Sequence, residues 1–105
     1  MAVKARISHV KRLTAGARLS YGLRYTMPRE GTVATVPVGY ADGVPRALSE
    51  TGGEVLVRGR RHPIAGTVTM DQLMVDVGDV AVEVGDEVVL LGRDGDAEIT
   101  ADEWA

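Results

Sequence analysis

The sequence of 105 residues has no cysteine, no phenylalanine and no apolar run near the ~20 residues that a membrane helix requires. Without cysteine there is neither a disulfide framework nor thiolate chemistry, which fits a reducing compartment, so a cytoplasmic location is expected. The start of the chain also lacks the apolar stretch of a signal peptide. Because phenylalanine is absent, Val, Ile, Leu and Ala must fill the core, which favours the narrow, β-branched interior of a small β-barrel.

Acidic residues are absent from the first 29 positions, which carry seven of the twelve cations. The other 76 positions hold five cations and all fifteen acids, and the net charge is −3. The N-terminal cations alternate with apolar residues, as on the solvated face of strands, and no aromatic platform accompanies them. The pattern therefore favours a solvated strand face, or a surface that docks an acidic neighbouring domain, over nucleic-acid binding. Neither nucleic acid nor a membrane is an expected partner.

Short alternating or β-branched segments, separated by Gly and Asp turns, predict an all-β domain of the sandwich or barrel type. The alternation is clearest in residues 3–7, where apolar and polar residues take turns as in a half-buried strand. Further strands are predicted at 19–25, 32–38, 54–57, 61–64, 66–70, 73–77, 80–84 and 88–91. At the other end of the chain, Thr100 and Glu103 form a capping-box pattern, which predicts a short helical start at the C-terminus.

Metal-binding patterns are weak in this sequence. His9 and His62 are far apart and lack neighbouring ligands at useful spacing. The acidic run at 94–98 resembles the start of a calcium loop, but Ile99 stands where that loop needs glycine and Ala105 where it needs glutamate. We therefore interpret the run as a turn and predict no metal site.

Three motifs place distinctive residues at the ends of predicted strands. They are Ser20-Tyr21-Gly22, Gly39-Tyr40-Ala41-Asp42-Gly43-Val44-Pro45-Arg46 and Gly66-Thr67-Val68-Thr69-Met70-Asp71-Gln72. Taken singly, each has an ordinary structural explanation: a packed tyrosine with its hydroxyl in water, a loop tyrosine over the barrel mouth, and a methionine that fills the core. Taken together, in this order and at this spacing, the motifs resemble the C-terminal domain of alanine racemase, a pyridoxal-phosphate (PLP) enzyme.

The resemblance implies a small Greek-key-type β-barrel that spans residues 1–105 as one domain of a longer enzyme. In that family an N-terminal (β/α)8 barrel, which carries the PLP lysine, precedes this domain and a final C-terminal segment follows it. Both are expected to be missing from this chain. The family works as a head-to-tail homodimer, in which this domain meets the cofactor of the opposite subunit. We therefore expect the isolated chain to be inactive.

The resemblance also implies roles for three residues. Tyr21 matches a catalytic acid–base residue that works on one face of the PLP-bound amino acid, while the PLP lysine works on the other. A free phenol has a pKa of ~10, so it needs a cationic neighbour or hydrogen-bond donors that favour the phenolate to act as a base at neutral pH. Tyr40 matches a tyrosine at the substrate entrance, and Met70 matches a residue whose backbone N–H faces the substrate carboxylate. Thr69 departs from the family, because many relatives carry cysteine or a small polar residue there.

The implied activity is the interconversion of L- and D-alanine, which supplies D-alanine for peptidoglycan. The only lysines, Lys4 and Lys11, lie on a basic strand without a cofactor motif, so no cofactor-binding residue is assigned in this chain. Two alternatives stay open. One is a racemase for another amino acid, such as lysine, serine or ornithine. The other is a non-catalytic β-barrel interaction module that kept the scaffold.

Overall fold

A computed structural model describes residues 2–18, 25–45, 48, 53–65 and 68–104, with position 40 described by its backbone. The described part is mainly β, as predicted, and its regular elements are eight strands and two 3₁₀ turns, Tyr40–Asp42 and Ala101–Trp104. The strands are β1 (Val3–Arg6), β2 (His9–Leu13), β3 (Gly31–Val36), β4 (Glu54–Val57), β5 (Arg60–Ala65), β6 (Leu73–Gly78), β7 (Glu87–Asp94) and β8 (Ala97–Ile99). Within these residues, no helix is long and apolar enough to cross a bilayer.

All strand pairs are antiparallel, and the strands lie in the order β1-β7-β4-β5-β6-β3-β2, with β8 paired to β7. The ladder of the described residues is not closed, which corrects the barrel part of the prediction. The reason lies in the two residues between β1 and β2. The Ile7 N–H donates to the Asp86 carbonyl (2.9 Å) and the Ser8 N–H to the Thr35 carbonyl (2.9 Å). The chain thus passes from one end of the strand order to the other without pairing the end strands.

Most predicted strands are confirmed, with small shifts at their ends, whereas the strand predicted at 80–84 is wrong. That stretch is irregular, and it begins with a turn in which the Val80 N–H donates to the Val77 carbonyl (3.1 Å). Val80 and Val82 still pack against the core, so their alternation indicates burial rather than ladder pairing. Residues 68–70 are also outside any strand, and residues 19–24 of another predicted strand lie outside the described residues.

The core is aliphatic, as the missing phenylalanine requires. Its largest cluster contains Ile7, Ala34, Val36, Val38, Val44, Leu48, Val55, Val57, Ile64, Val68, Leu73, Val75, Val77, Val88 and Leu90. Two polar side chains, His62 and Asp76, are also buried, each with 8% exposure. Such groups normally need hydrogen-bond partners, so their surroundings bear on function.

A cleft of about 910 Å³ separates the first half of β5 from the second half of β6. The two strands pair at only two positions, both in the second half of β5. Pro63 directly precedes the paired positions and has no N–H to continue the ladder. The strands therefore diverge at Pro63, and Tyr25, His62 and Asp76 line the opening.

The C-terminal 3₁₀ turn is tied to the sheet by Glu103. Its carboxylate accepts hydrogen bonds from the Thr100 N–H (2.9 Å) and from Arg61 Nη1 (2.6 Å). Trp104 donates from its indole N–H to the Leu90 carbonyl (3.2 Å). The predicted helical start is thus a 3₁₀ turn, in which the Glu103 carboxylate accepts from the Thr100 N–H as in a capping box.

The first prediction concerns acid stability. The bonds from Arg61 and Thr100 lower the pKa of Glu103 from its usual 4.5 to about 2. A lowered folded-state pKa stabilises the fold above pH 4.5, and this contribution is lost as the pH falls from 4.5 towards 2. Because the pair is partly exposed, Glu103→Gln should lower Tm at pH 7 by only about 1–4 °C.

Thermal unfolding at several pH values measures this difference, with Asp102→Asn in the same turn as the control variant. The gap between wild type and Glu103→Gln should shrink as the pH falls from 4.5 to 2 and vanish below pH 2. A gap of the same size at pH 7 and pH 2 would contradict the assignment.

Candidate functional site

The Tyr40 motif forms a compact turn after β3. Asp42 closes it twice, because its carboxylate accepts from the Gly39 N–H (3.1 Å) and its own N–H donates to the Gly39 carbonyl (3.0 Å). A second donor, the Val44 N–H, reaches the same carbonyl at 3.3 Å. The Asp-Gly pair, a turn signal in the sequence, thus holds the backbone of Tyr40 in a 3₁₀ conformation.

The Met70 motif forms a second turn, just before β6, and Thr69 organises it. The Thr69 N–H and hydroxyl both donate to the Gln72 carbonyl (2.9 Å each), and the hydroxyl accepts from the Gln72 N–H (3.2 Å). The Met70 residue is 56% exposed, so this methionine is not core filler. Within the described ranges no group accepts from the Met70 N–H.

These two turns are in direct backbone contact. The Ala41 N–H donates to the Met70 carbonyl at 3.0 Å. Gly39 lies so close to the second turn that a Cβ there would overlap the Thr69 carbonyl oxygen and lie 2.7 Å from the Met70 carbonyl carbon. The structure thus brings together the backbones of two of the three predicted site residues, Tyr40 and Met70. The third, Tyr21, lies outside the described residues, so its placement stays a prediction.

The residues described here do not fit a PLP pocket. Lys4 is about half exposed on β1 and lies 3.9 Å from Glu87, and Lys11 is exposed on β2. A Schiff-base lysine works from an enclosed site, where burial disfavours its charged form. In the described part of the chain, His, Asp and Glu side chains form no group of three that could hold a metal ion.

The sequence analysis missed a buried polar cluster beside the cleft. The Tyr25 hydroxyl donates to Asp76 Oδ2 at 2.6 Å, and Asp76 Oδ1 accepts from the Gly78 N–H at 3.0 Å. Burial, and then the bond to Asp76, raise the pKa of Tyr25 above its usual value. Burial lowers the pKa of His62, whose Nε2 has no hydrogen-bond partner among the described residues. The signal in the sequence was an aspartate inside the otherwise apolar strand β6.

The fold corresponds to a β-domain that makes up about a quarter of the chain in solved amino-acid racemases. More specifically, the sequence-family model of the alanine racemase C-terminal domain matches residues 1–105, so the chain belongs to this family. The alanine racemase of Symbiobacterium thermophilum is 58% identical over 103 residues, which cover 97% of this chain and 27% of that protein. The chain thus spans about a quarter of the length of the curated relatives that it matches.

Two solved structures extend this comparison. The alanine racemase of Bacillus anthracis, with bound L-Ala-P, superposes with a TM-score of 0.91 at 43% identity, covering 99% of this chain and 26% of that one. The histidine racemase of Leuconostoc mesenteroides subsp. sake also reaches 0.91, at 38% identity, covering 99% of this chain and 27% of that one. The domain fold is therefore shared by racemases with different named substrates.

The second prediction tests the contact between the turns. Gly39→Ala should reduce the free energy of unfolding by about 3 kcal/mol, because the new methyl group overlaps backbone that cannot rotate away. Gly43→Ala in the same loop is the matched control. At Gly43 φ is +100° and a Cβ meets nothing within 4 Å, so only conformational strain of about 1–2 kcal/mol is expected.

Denaturant unfolding measures both losses, and amide chemical shifts locate the change. The amide chemical shifts of Ala41 and Met70 should change in Gly39→Ala and remain unchanged in Gly43→Ala. Equal losses in the two variants, with both amides undisturbed, would contradict the contact.

Proposed function

We propose that this chain is the tyrosine-bearing domain of a PLP-dependent racemase that interconverts L- and D-alanine. The observation that carries the proposal is that the Tyr40 and Met70 turns are joined in a chain that belongs to the alanine racemase C-terminal family, and that no described residue accepts from the Met70 N–H. A backbone donor on a rigid turn can hold a substrate carboxylate at a constant position, as racemisation requires. Tyr40 would border the same substrate entrance.

Racemisation removes the α-proton from one face of the amino acid and returns a proton to the opposite face, so it needs two acid–base groups. We propose Tyr21 as one of them, and the second belongs to the part of the enzyme outside this chain. A phenol near its usual pKa of ~10 is a poor base at neutral pH. A cationic side chain of the other domain must therefore stabilise the phenolate of Tyr21.

The proposal divides the active site between domains and subunits. An N-terminal (β/α)8 barrel would hold PLP through its lysine, and Tyr21 would reach the cofactor of the second subunit in a homodimer. PLP, when bound, supplies the electron sink that makes the α-proton removable. The product, D-alanine, would feed cell-wall synthesis from the cytoplasm.

The third prediction follows from this division. The isolated 105-residue chain, mixed with PLP and L-alanine, should form no D-alanine above a control with PLP alone, because the proposal assigns the PLP lysine and the second base to the remainder of the enzyme. A coupled D-amino-acid oxidase assay measures the product. Turnover above that control would refute the split site.

The fourth prediction addresses Tyr21 in the complete enzyme. Tyr21→Phe removes the acid–base hydroxyl and keeps the ring, so kcat should fall by about 10²–10⁴-fold in both directions. The visible absorbance of the bound cofactor should not change, since PLP is held elsewhere. Wild-type rates for L- and D-alanine would refute the assignment.

A second candidate function is racemisation of another amino acid. It is favoured by the close structural similarity to a histidine racemase, which suggests that this β-domain does not by itself select the side chain. A panel of alanine, serine, lysine, ornithine and histidine, assayed with the complete enzyme, separates the two candidates by kcat/KM. The non-catalytic alternative has less support, because the joined turns bring the backbones of two residues matched to the racemase motifs, Tyr40 and Met70, to one place.

A further inference from the structure

The two flanks of residues 19–24 are described, and they pair with each other. The Gly16 N–H donates to the Met27 carbonyl (2.9 Å), and the Met27 N–H donates to the Ala17 carbonyl (2.8 Å). Arg18 and Thr26 then form an antiparallel bridge. Both ends of the segment that contains Tyr21 are thus held together at one position.

Tyr25 attaches this pair of flanks to the sheet. Its hydroxyl bonds the buried Asp76 at 2.6 Å, a short bond of the kind that a neutral donor makes to a carboxylate. Asp76 itself lies in β6, opposite Val33 of β3, and its second oxygen is bonded by the Gly78 N–H. The acceptor therefore belongs to a well-paired strand, and it can hold the Tyr25 side chain in one place.

The Tyr25 ring has a separate role from its hydroxyl. The ring packs against a small cluster that contains Met27, Val33 and Ala65. Burial and the bond to Asp76 raise the pKa of Tyr25, so the hydroxyl stays protonated, and a donor, throughout the neutral range. Removing the hydroxyl alone therefore leaves the packing and deletes only the attachment to β6.

β6 also adjoins, at its first residue, the Met70 turn, where the substrate carboxylate is proposed to bind (the candidate carboxylate site). β6 starts at Leu73, directly after the Met70 turn, and Asp76 lies three residues further along it. One strand thus determines the position of the Met70 N–H and of the anchor for Tyr25. Tyr21 is only four residues from Tyr25, at most ~14 Å along a fully extended chain.

We propose that Tyr25 and Asp76 are positioning residues: their hydrogen bond fixes where the segment with Tyr21 stands relative to the Met70 turn. The inference rests on the proposed catalytic role of Tyr21. Neither residue touches the substrate in this proposal. They act by keeping the phenol of Tyr21 within reach of the α-carbon, where small displacements of an acid–base group are costly.

The fifth prediction uses Tyr25→Phe and Asp76→Asn in the complete enzyme. Asparagine removes the negative charge and leaves one acceptor oxygen for the two donors that Asp76 now serves, Tyr25 and Gly78, so it weakens the same attachment. Each variant should lose about tenfold in kcat, with KM for alanine changed less than twofold, because carboxylate binding stays with the Met70 turn. The double variant should lose no more than either single variant, since both delete one bond.

A kinetic isotope effect separates positioning from general damage. L- and D-alanine have equal free energies, so kcat/KM must fall equally in both directions. With α-deuterated alanine, the isotope effect should rise only for the enantiomer whose proton Tyr21 removes. If the variants only reduced the amount of folded enzyme, the rates would fall while both isotope effects stayed unchanged. That result would overturn the proposal.

The matched control is Asp86→Asn. Asp86 also accepts one backbone bond, from the Glu83 N–H (2.9 Å), and one side-chain bond, from Arg58 (2.8 Å), but it belongs to the turn before β7. This variant should keep wild-type kcat and isotope effects. A tenfold loss in Asp86→Asn as well would count against a specific role for Asp76.

A readout that does not depend on activity is amide hydrogen exchange in the 105-residue chain. Tyr25→Phe should accelerate exchange at Gly16 and Met27, whose N–H groups join the two flanks, and leave Val75 in β6 protected. Unchanged exchange at both flanks would overturn the inference.

If Tyr21→Phe is inactive while Tyr25→Phe and Asp76→Asn behave as wild type, the positioning role fails and the proposed function stands. If Tyr21→Phe is fully active, the proposed function itself fails.

Discussion

The candidate site depends on one backbone contact, the approach of Gly39 to the turn that contains Met70. β3 and β6 are antiparallel neighbours, with Val36 opposite Leu73, so the loop that leaves β3 and the turn that enters β6 meet at the same edge. Only a residue without a Cβ fits there, and the Ala41 N–H closes the contact. Because both partners are backbone, the Met70 N–H is held as rigidly as the sheet.

The second half of β6 carries another polar arrangement, beside the cleft that separates it from β5. Asp76 is buried in β6 and serves Tyr25 and Gly78, while β5 turns away at Pro63 and leaves a cleft. A buried carboxylate is costly unless it is well bonded, so each of its two oxygens has a donor. One strand therefore supports the candidate carboxylate site at its start and the attachment of the Tyr25 segment further along.

In the proposed function, the domain contributes geometry rather than a complete active site. Its described residues offer backbone donors on rigid turns and exposed lysines that do not fit a cofactor pocket. An alanine racemase and a histidine racemase share the fold with equal TM-scores, which fits a domain that holds the groups common to all α-amino acids.

Sequence by itself determined the mainly-β class, the aliphatic core and most strands, because alternation and β-branching report which side chains are buried. It also predicted the Tyr40 loop, since Asp42 and Gly43 have strong turn preferences, whereas the turn that Thr69 organises around Met70 replaced the end of a predicted strand. Only the tertiary structure decided the rest. Val80 and Val82 cover the core without pairing, the ladder stays open between β1 and β2, and Tyr25 bonds an aspartate fifty-one residues away. The local sequence pattern specifies which side chains are buried. The partner strand of each strand, and the hydrogen-bond partner of a buried carboxylate, depend on contacts between distant segments, which form only when the chain folds.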